Sequence, residues 1–406
     1  MTQETPPMNV LMLSDVYFPR INGVSTSIET FRQALAKAGV TTTLIAPAYP
    51  AGGTDDAHIL RIPSRYLPVD PEDRIMRRRA IRELLPRLRE LAPQVVHVQT
   101  PFIAHYTGLD IAQSLGVPCV ASYHTFFEEY LYHYVPFAPR SWLKAAARRF
   151  SRTQCNALDG IIVPSSAMRD TLSAYGVTRP MHVLPTGIPD SGFDGGDGDY
   201  FRERYGIPEH RQMLLFVGRV AHEKNISLLI EMIHRLRRTH PDALLVITGE
   251  GPALTPLRTH CERLGLDTHV RFLGYLDRHH ELHDCYRAAD VFVFASHTET
   301  QGLVLLEAMA LGTPVVAIAE MGTKDILGPQ RGCRIAPKDA DGFASAVAIL
   351  LDDHALRQQL AQEAKIYART WSADAMGLRL ADLYRQWTGI GRRNDAAPIR
   401  AVRPAA

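Results

Sequence analysis

No apolar run in this 406-residue chain approaches the 18 or so residues that a membrane-spanning helix needs; "PVVAIA" is representative. Cysteine is scarce. Cys119, Cys155, Cys261, Cys285 and Cys333 are odd in number, scattered and never spaced C-x-x-C, which argues against a disulfide framework or a zinc knuckle and predicts reduced thiols. Neither sign of charge is in excess. The formal net charge of +2 gives no support to a nucleic-acid-binding role, so any basic site must be local. The opening "MTQETPP" lacks a basic n-region and an apolar h-region, so no secretion signal is expected. The chain is therefore predicted to be cytoplasmic and to meet any membrane from one side. No G-x-G-x-x-G follows a strand, which removes a dinucleotide-dependent dehydrogenase.

What is present is a recurring pattern. Short β-branched and leucine-rich runs end in polar or glycine turns and are followed by helical stretches: "NVLMLSD", "TTLIAP", "VVHVQT", "PCVASYH", "GIIVPS" and "MHVLPTG". The pattern halts at "PDSGFDGGDGDYFRERYGIPEH", which reads as a linker. It resumes with "MLLFVGR", "ALLVITGEG", "VRFLGYL", "DVFVFAS", "TPVVAIAE" and "GCRIAP". Continuous apolar strands alternating with helices predict parallel sheets covered on both faces. The fold class is thus α/β, with two tandem Rossmann-like, doubly wound domains and a cleft between them. The expected divisions are 1–190, 191–370, a terminal helix over 371–387 and a disordered tail over 388–406. With 46% apolar and 22% charged residues, the composition suits two ordinary cores.

In such sheets ligands lie beyond the carboxyl ends of the strands. There, Arg219 follows "MLLFVG", and Lys224 comes five residues later in "GRVAHEKNISLLIEM". A guanidinium and an ammonium before a helix suit a diphosphate, although two solvated surface charges would look the same. Beyond "DVFVFAS" stand Glu299 and Glu307, eight residues apart in "SHTETQGLVLLEAMALGTP". If the helix begins near Gly302, they lie roughly 12 Å or more apart, a nucleotide-sugar span, with the helix N-terminus between them open to phosphate. Glu307, flanked by Leu305, Leu306, Ala308 and Met309, is expected to be buried, with donors from ligand or protein. A structural ion pair with an arginine is the alternative.

Together, Glu299-x7-Glu307 in its "GLVLLEAMALGTPVVA" context, "FVGRVAHEKN" and "ITGEGP" resemble family 4 of the retaining glycosyltransferases, with the two-Rossmann GT-B arrangement. "DVYFPRINGVSTSIETFRQALAKAGV" resembles that family's first loop and helix. The likeness runs from residue 8 to about 385. It implies that Glu299 contacts donor-sugar hydroxyls, Glu307 the ribose, and Arg219 and Lys224 the departing diphosphate. It further implies that Gly23 approaches that phosphate, that His124 in "SYHTFFEEY" lies beside the reacting sugar, and that Thr300, Gln301, Gly302 and Leu303 line the pocket. The chain reads "ETQG" where the commoner family form reads E-G-F-G. That variant, with "SYHTFFEEYLYHYVP", is most similar to the branch that glycosylates diacylglycerol, which implies a UDP-glucose donor, a lipid acceptor and no metal or other cofactor. By analogy, the backbone near Tyr275 and Leu276 would read uracil. The acceptor alternatives are phosphatidylinositol with GDP-mannose and a soluble or polyprenyl-linked sugar. The non-enzyme alternative is a nucleotide-sugar-binding membrane scaffold.

Two further stretches carry expectations. "DRHHELHDC", with His279, His280, His283, Asp284 and Cys285, offers metal-ligand types, but a local cluster of this kind reads better as a solvated face. "RSWLKAAARRFSR", from Arg140 to Arg152, places Trp142, Leu143, Ala146, Ala147 and Phe150 on one helical face, with Lys144, Arg148 and Arg152 opposite and Arg149 at the border. It is predicted to lie on an anionic membrane surface, next to Phe126 and Tyr130 on the acceptor side, with the basic run "RIMRRRAIRELLPRLRE" adding attraction. Packing of its apolar face on the sheet is the alternative.

Overall fold

The computed structural model describes residues 8–20, 22–50, 56–67, 70–124, 140–277 and 280–389. Phe126, Tyr130 and His279 lie outside them.

The first half contains β1 (Met8–Leu13), β2 (Val40–Pro47), β3 (Ile59–Ile62), the hairpin β4 (Ser64–Leu67) and β5 (Asp70–Met76), β6 (Val95–Val98), β7 (Cys119–Ser122), β8 (Gly160–Val163) and β9 (Met181–Val183). Outside the hairpin, the strands form one seven-stranded sheet in the order β3-β2-β1-β6-β7-β8-β9. Every pairing in it is parallel. The second half contains β10 (Gln212–Val217), β11 (Ala243–Thr248), β12 (Val270–Gly274), β13 (Val291–Phe294), β14 (Val315–Ala317) and β15 (Cys333–Ile335), ordered β12-β11-β10-β13-β14-β15 and again all parallel. All residues of β6, β8, β11 and β13 are buried, as strands covered on both faces must be. Each sheet has a switch point, between β1 and β6 and between β10 and β13, where consecutive connections leave in opposite directions and a crevice opens.

Three features differ from the sequence reading. Strand β3 and the β4–β5 hairpin are additional, and the basic run contributes to β5 before it enters the short helices Arg78–Glu83 and Leu85–Leu91. The glycine- and aspartate-rich stretch is not a loose linker. It forms the helix Gly198–Arg204 and sends Phe193 and Phe201 into the core of the second half. The terminal helix Ala373–Thr388 returns to the first half, where Met376, Leu380, Ala381 and Tyr384 join the core beneath the helix Gly23–Lys37. The chain therefore crosses between halves twice, and the crossings are bonded together: Ile188 N donates to Trp371 O at 2.9 Å and Ala373 N to Ile188 O at 2.7 Å.

Candidate active site between the two sheets

The mouths of the two sheets face a common cavity of about 570 Å³, within the range of small-molecule sites. Its lining includes Gly23, His124, Arg219, Lys224, Glu299, Thr300, Gln301, Gly302 and Leu303, so side chains from distant parts of the sequence share one space.

The second half supplies the charge. Lys224 ends a single 3-10 turn, and the left-handed Asn225 (φ 52°) then starts the helix Ile226–Leu236. Across the switch point, Glu299 follows β13, and Lys224 Nζ donates to its Oε2 at 2.6 Å. Both side chains are about four-fifths buried, at 20% and 19% exposure, so this pair is shielded far more than a surface ion pair. Arg219 is 62% exposed, and its Nη1 lies 3.9 Å from Glu223 Oε1, too far for a strong bond. The loop bearing Glu299 is rigidly placed. Gly322 N donates to Glu299 O at 2.8 Å, and a Cβ at residue 322 would come within 2.1 Å of the Thr300 carbonyl oxygen. Gly302, at φ +95°, turns the chain into the helix Leu303–Ala310, in a region where side-chain-bearing residues are strained.

Two helices of opposite halves end on this cavity. Gly302, Leu303 and Val304 open one, while Asn22, Gly23 and Val24 open the other, the helix Gly23–Lys37. Asn22 caps the second, its Oδ1 accepting from Ser25 N at 2.8 Å. Two positive helix ends, Arg219 and Lys224 form a cradle suited to an anion. Asn22 went unremarked in the sequence, although Asn-Gly before a helical stretch is a cap signal.

The first half adds Arg20 to the lining, and beside it polar groups whose protonation is shifted by burial. His124 follows β7, and its Nε2 lies 3.0 Å from Gln99 Oε1, which accepts from it and leaves Nδ1 the lone pair. Burial pushes its pKa down to about 4, so the imidazole is neutral at pH 7. Asp15, after β1, accepts from Thr100 Oγ1 at 2.7 Å and from Ala104 N at 3.1 Å. Burial outweighs those bonds and raises its pKa to about 6.

Gln301 is among the pocket residues, yet both ends of its amide are engaged elsewhere. Its Oε1 accepts from Thr186 N at 3.0 Å and its Nε2 donates to Thr186 O at 2.6 Å. Glu307 corrects the expectation of a buried carboxylate: it is half-buried, on the same helical face as Leu303 and Val304, and accepts from Tyr286 Oη at 2.9 Å. It lies outside the residues that line the cavity.

Near the suggested base reader, Tyr275 is exposed and Leu276 buried. In "HHELHDC", Glu281 accepts from Tyr205 Oη at 2.6 Å, Asp284 from Asp197 N at 2.6 Å, and Cys285 is buried. Among the described residues no group of three or more potential ligands could hold a metal ion. All five cysteines are free and buried.

The helix Arg140–Asn156 divides its expected apolar face. Ala147 is buried in the first-half core, with Phe150 packed against it and Leu143 half-buried, whereas Trp142 (76% exposed) and Ala146 face outward beside Lys144 and Arg149. Ser151, Gln154 and Cys155 complete the inward stripe, so packing claims one side of the helix and leaves a tryptophan among cations on the other. Arg148 and Arg152 are also exposed, with the Arg148 guanidinium 5.4 Å from the Tyr175 ring centre.

Two doubly wound domains joined at a cleft with cations and helix ends facing inward define the GT-B class. Residues 21–191 match the family described as Glycosyltransferase Family 4, and residues 198–367 match Glycosyl transferases group 1. The chain belongs to the family 4 glycosyltransferases. It is 32% identical over 320 residues to the alpha-monoglucosyldiacylglycerol synthase of Streptococcus pneumoniae, covering 76% of this chain and 71% of that protein. Over 378 residues it is 31% identical to the GDP-mannose-dependent alpha-mannosyltransferase of Mycolicibacterium smegmatis, covering 90% and 94%. Its fold matches HepE of Anabaena, solved in complex with UDP and glucose, at a TM-score of 0.71 and 16% identity, covering 93% of this chain and 100% of that one.

Proposed function

We propose that this glycosyltransferase is a retaining enzyme that moves a glucosyl unit from UDP-glucose to diacylglycerol at an anionic membrane surface, without a metal ion. The observation that carries the reading is the convergence of Lys224, Arg219, Glu299 and two helix N-termini on one cavity, opposite a neutral His124. Breaking the anomeric C1–O bond leaves negative charge on the diphosphate and an oxocarbenium-like sugar. Fixed cations and helix ends stabilise that charge at no cost in reorganisation. Arg219 forks onto the diphosphate and Lys224 acts as a point charge beside it. The acceptor hydroxyl attacks C1 from the face the phosphate leaves, forms the new C1–O bond and passes its proton to the departing phosphate. No carboxylate nucleophile is needed. Glu299 accepts hydrogen bonds from sugar hydroxyls while holding Lys224, and Glu307 serves the ribose.

The lipid acceptor rests on the likeness to the monoglucosyldiacylglycerol synthase and on the exposed Trp142 among Lys144, Arg148, Arg149 and Arg152, a composition suited to an anionic interface. Among the described residues no helix is long and apolar enough to cross a membrane, so contact would be peripheral. The mannosyltransferase likeness favours one alternative for the donor, GDP-mannose, for which phosphatidylinositol is the proposed acceptor.

A donor-by-acceptor activity matrix with mass detection tests the proposal. UDP-glucose with diacylglycerol vesicles should give a singly glucosylated, α-linked lipid that survives addition of EDTA. A mannosylated product establishes the alternative. Binding of UDP-glucose without transfer to any acceptor overturns the catalytic reading, and strong EDTA inhibition reversed by manganese or zinc overturns the metal-free one.

A further inference from the structure

Gln301 stands two residues after Glu299 and immediately before the helix end that faces the cavity. A glutamine amide has one carbonyl and one NH₂ group, and here both bind the backbone of Thr186, 115 residues away, in a paired arrangement of the kind that joins two strands. Thr186 is the last stretch of the first half before the paired crossings at Ile188, Trp371 and Ala373. Its own hydroxyl lies 2.7 Å from that of Ser27, in the opening turns of the helix Gly23–Lys37. Gln301, Thr186 and Ser27 are all buried, at 9%, 8% and 2% exposure, so losing a partner would strand polar groups away from water.

We infer that Gln301 is a positioning residue, a clasp that locks the donor loop of the second half to the helix end contributed by the first. The chain of contacts is continuous: Glu299 loop, Gln301 amide, Thr186 backbone, Thr186 hydroxyl, Ser27, helix Gly23–Lys37. It joins the two N-termini of the cradle beside the paired crossings at Ile188, Trp371 and Ala373. A second contact between the halves runs parallel to it. Asp325 Oδ2 accepts from Ser166 N at 2.6 Å and Oδ1 from the Ser166 hydroxyl, at the start of the helix Ser166–Ala174. Glutamine suits the clasp because it both accepts and donates; glutamate would set a carboxylate oxygen against the Thr186 carbonyl, and leucine would leave both backbone groups unpaired. The clasp acts on catalysis through Glu299 and the helix ends, and its catalytic consequence rests on the nucleoside-diphosphate reading above.

The test compares Gln301→Leu, Gln301→Glu, Thr186→Val and Thr186→Ser with the full-length enzyme in three measurements. Hydrogen–deuterium exchange of the peptide containing Thr186 reads the clasp without a donor. It should quicken by roughly tenfold or more in both Gln301 variants. Turnover should fall by roughly tenfold to a hundredfold, because a misplaced cradle costs rate, while the UDP dissociation constant by calorimetry changes by less than about threefold. Thr186→Val, which keeps the backbone clasp and loses the link to Ser27, should show a smaller fall in kcat that Thr186→Ser restores. Unchanged exchange at Thr186 in Gln301→Leu overturns the clasp, as does a raised KM with unaltered kcat or a change in donor-sugar preference, either of which would make Gln301 a direct donor contact. Failure of UDP to bind the unaltered enzyme overturns the donor reading instead, and the exchange measurement still decides the clasp.

Discussion

The two halves share one topology and use it for opposite chemistry. At the second switch point, β10 and β13 present a shielded Lys224–Glu299 pair and an exposed Arg219. At the first, β1 and β6 present groups that burial drives toward neutrality: Asp15, whose pKa is raised to about 6, and His97, lowered to about 3. His124 beside them is lowered to about 4. A parallel sheet thus supplies the same crevice twice, and the local dielectric and partners decide how far its titratable groups are held charged or pushed toward neutrality. The Lys224–Glu299 pair and Arg219 suit a diphosphate, and the neutral His124 suits a hydroxyl-bearing acceptor, while Arg20 of the first half adds a further cation to the shared cavity.

The sharpest way to break that comparison is to discharge the second half. Arg219→Ala and Lys224→Ala should each cost about 2 to 4 kcal/mol of transition-state stabilisation, measured as kcat/KM; the exposed Arg219 should leave the thermal midpoint little changed, whereas Lys224→Ala should also lower it by leaving Glu299 unpaired. Near-normal turnover would remove that residue from the site. The outer face of the first half gives the next largest effect. Replacing Lys144, Arg148 and Arg152 with Glu should weaken binding to anionic vesicles by roughly 1 kcal/mol per cation or more. Activity on vesicle-borne lipid should fall further than on detergent-dispersed lipid, and unchanged co-sedimentation would refute the membrane face.

Glu307→Gln probes the edge of the charged half. It should weaken UDP binding by about 1.5 to 3 kcal/mol, the range for hydrogen bonds to a charged group, whereas Glu299→Gln should impair transfer and donor-sugar discrimination. Normal UDP affinity by calorimetry together with earlier unfolding would make Glu307 structural, acting through contacts such as that with Tyr286.

The smallest effect concerns pH. His97, His105 and His124 have folded-state values of about 3, 4 and 4, below the ordinary 6.5, so between pH 6.5 and 4 the unfolded chain binds more protons than the native one. Their contribution is fully present above pH 6.5 and is lost as pH falls toward 4. Asp15, raised from 3.8 to about 6, works the other way, favouring the native state at low pH and losing that contribution as pH rises through 6. Three histidines against one aspartate should make stability to urea increase from pH 4 to 6.5. His105→Leu should flatten the slope, and a stability maximum near pH 4 would contradict the neutrality of the buried histidines.

Much of this was legible beforehand. All six strands of the second sheet and six of seven in the first stand out as apolar runs; the inner ones do so because they are covered on both faces, while the edge strands β9, β12 and β15 are only partly buried. Strand β3 did not, since "ILRI" is short, carries Arg61 and lies at the sheet edge. The helix Leu303–Ala310 began where Gly302 implied. Glu307 looked buried because its neighbours are apolar, but Leu305, Leu306, Ala308 and Met309 cover the inner side of the helix while residues 303, 304 and 307 share the outer one. Helical periodicity likewise grouped Trp142 with Leu143. Contact with the core chose Ala147 and Phe150, left Leu143 half-buried and turned Trp142 outward.

Element types, the repeated βα order, and the cations and carboxylates standing just past the strands follow from local pattern, because periodicity and burial act over a few residues. Which side chains pair is a matter of the folded chain. Lys224 meets Glu299 across 75 residues because β10 and β13 are neighbours at a switch point, and Gln301 meets Thr186 across 115 because the two halves close on one another. Such partners depend on strand order and domain closure, which the free energy of the whole chain sets and no local pattern records.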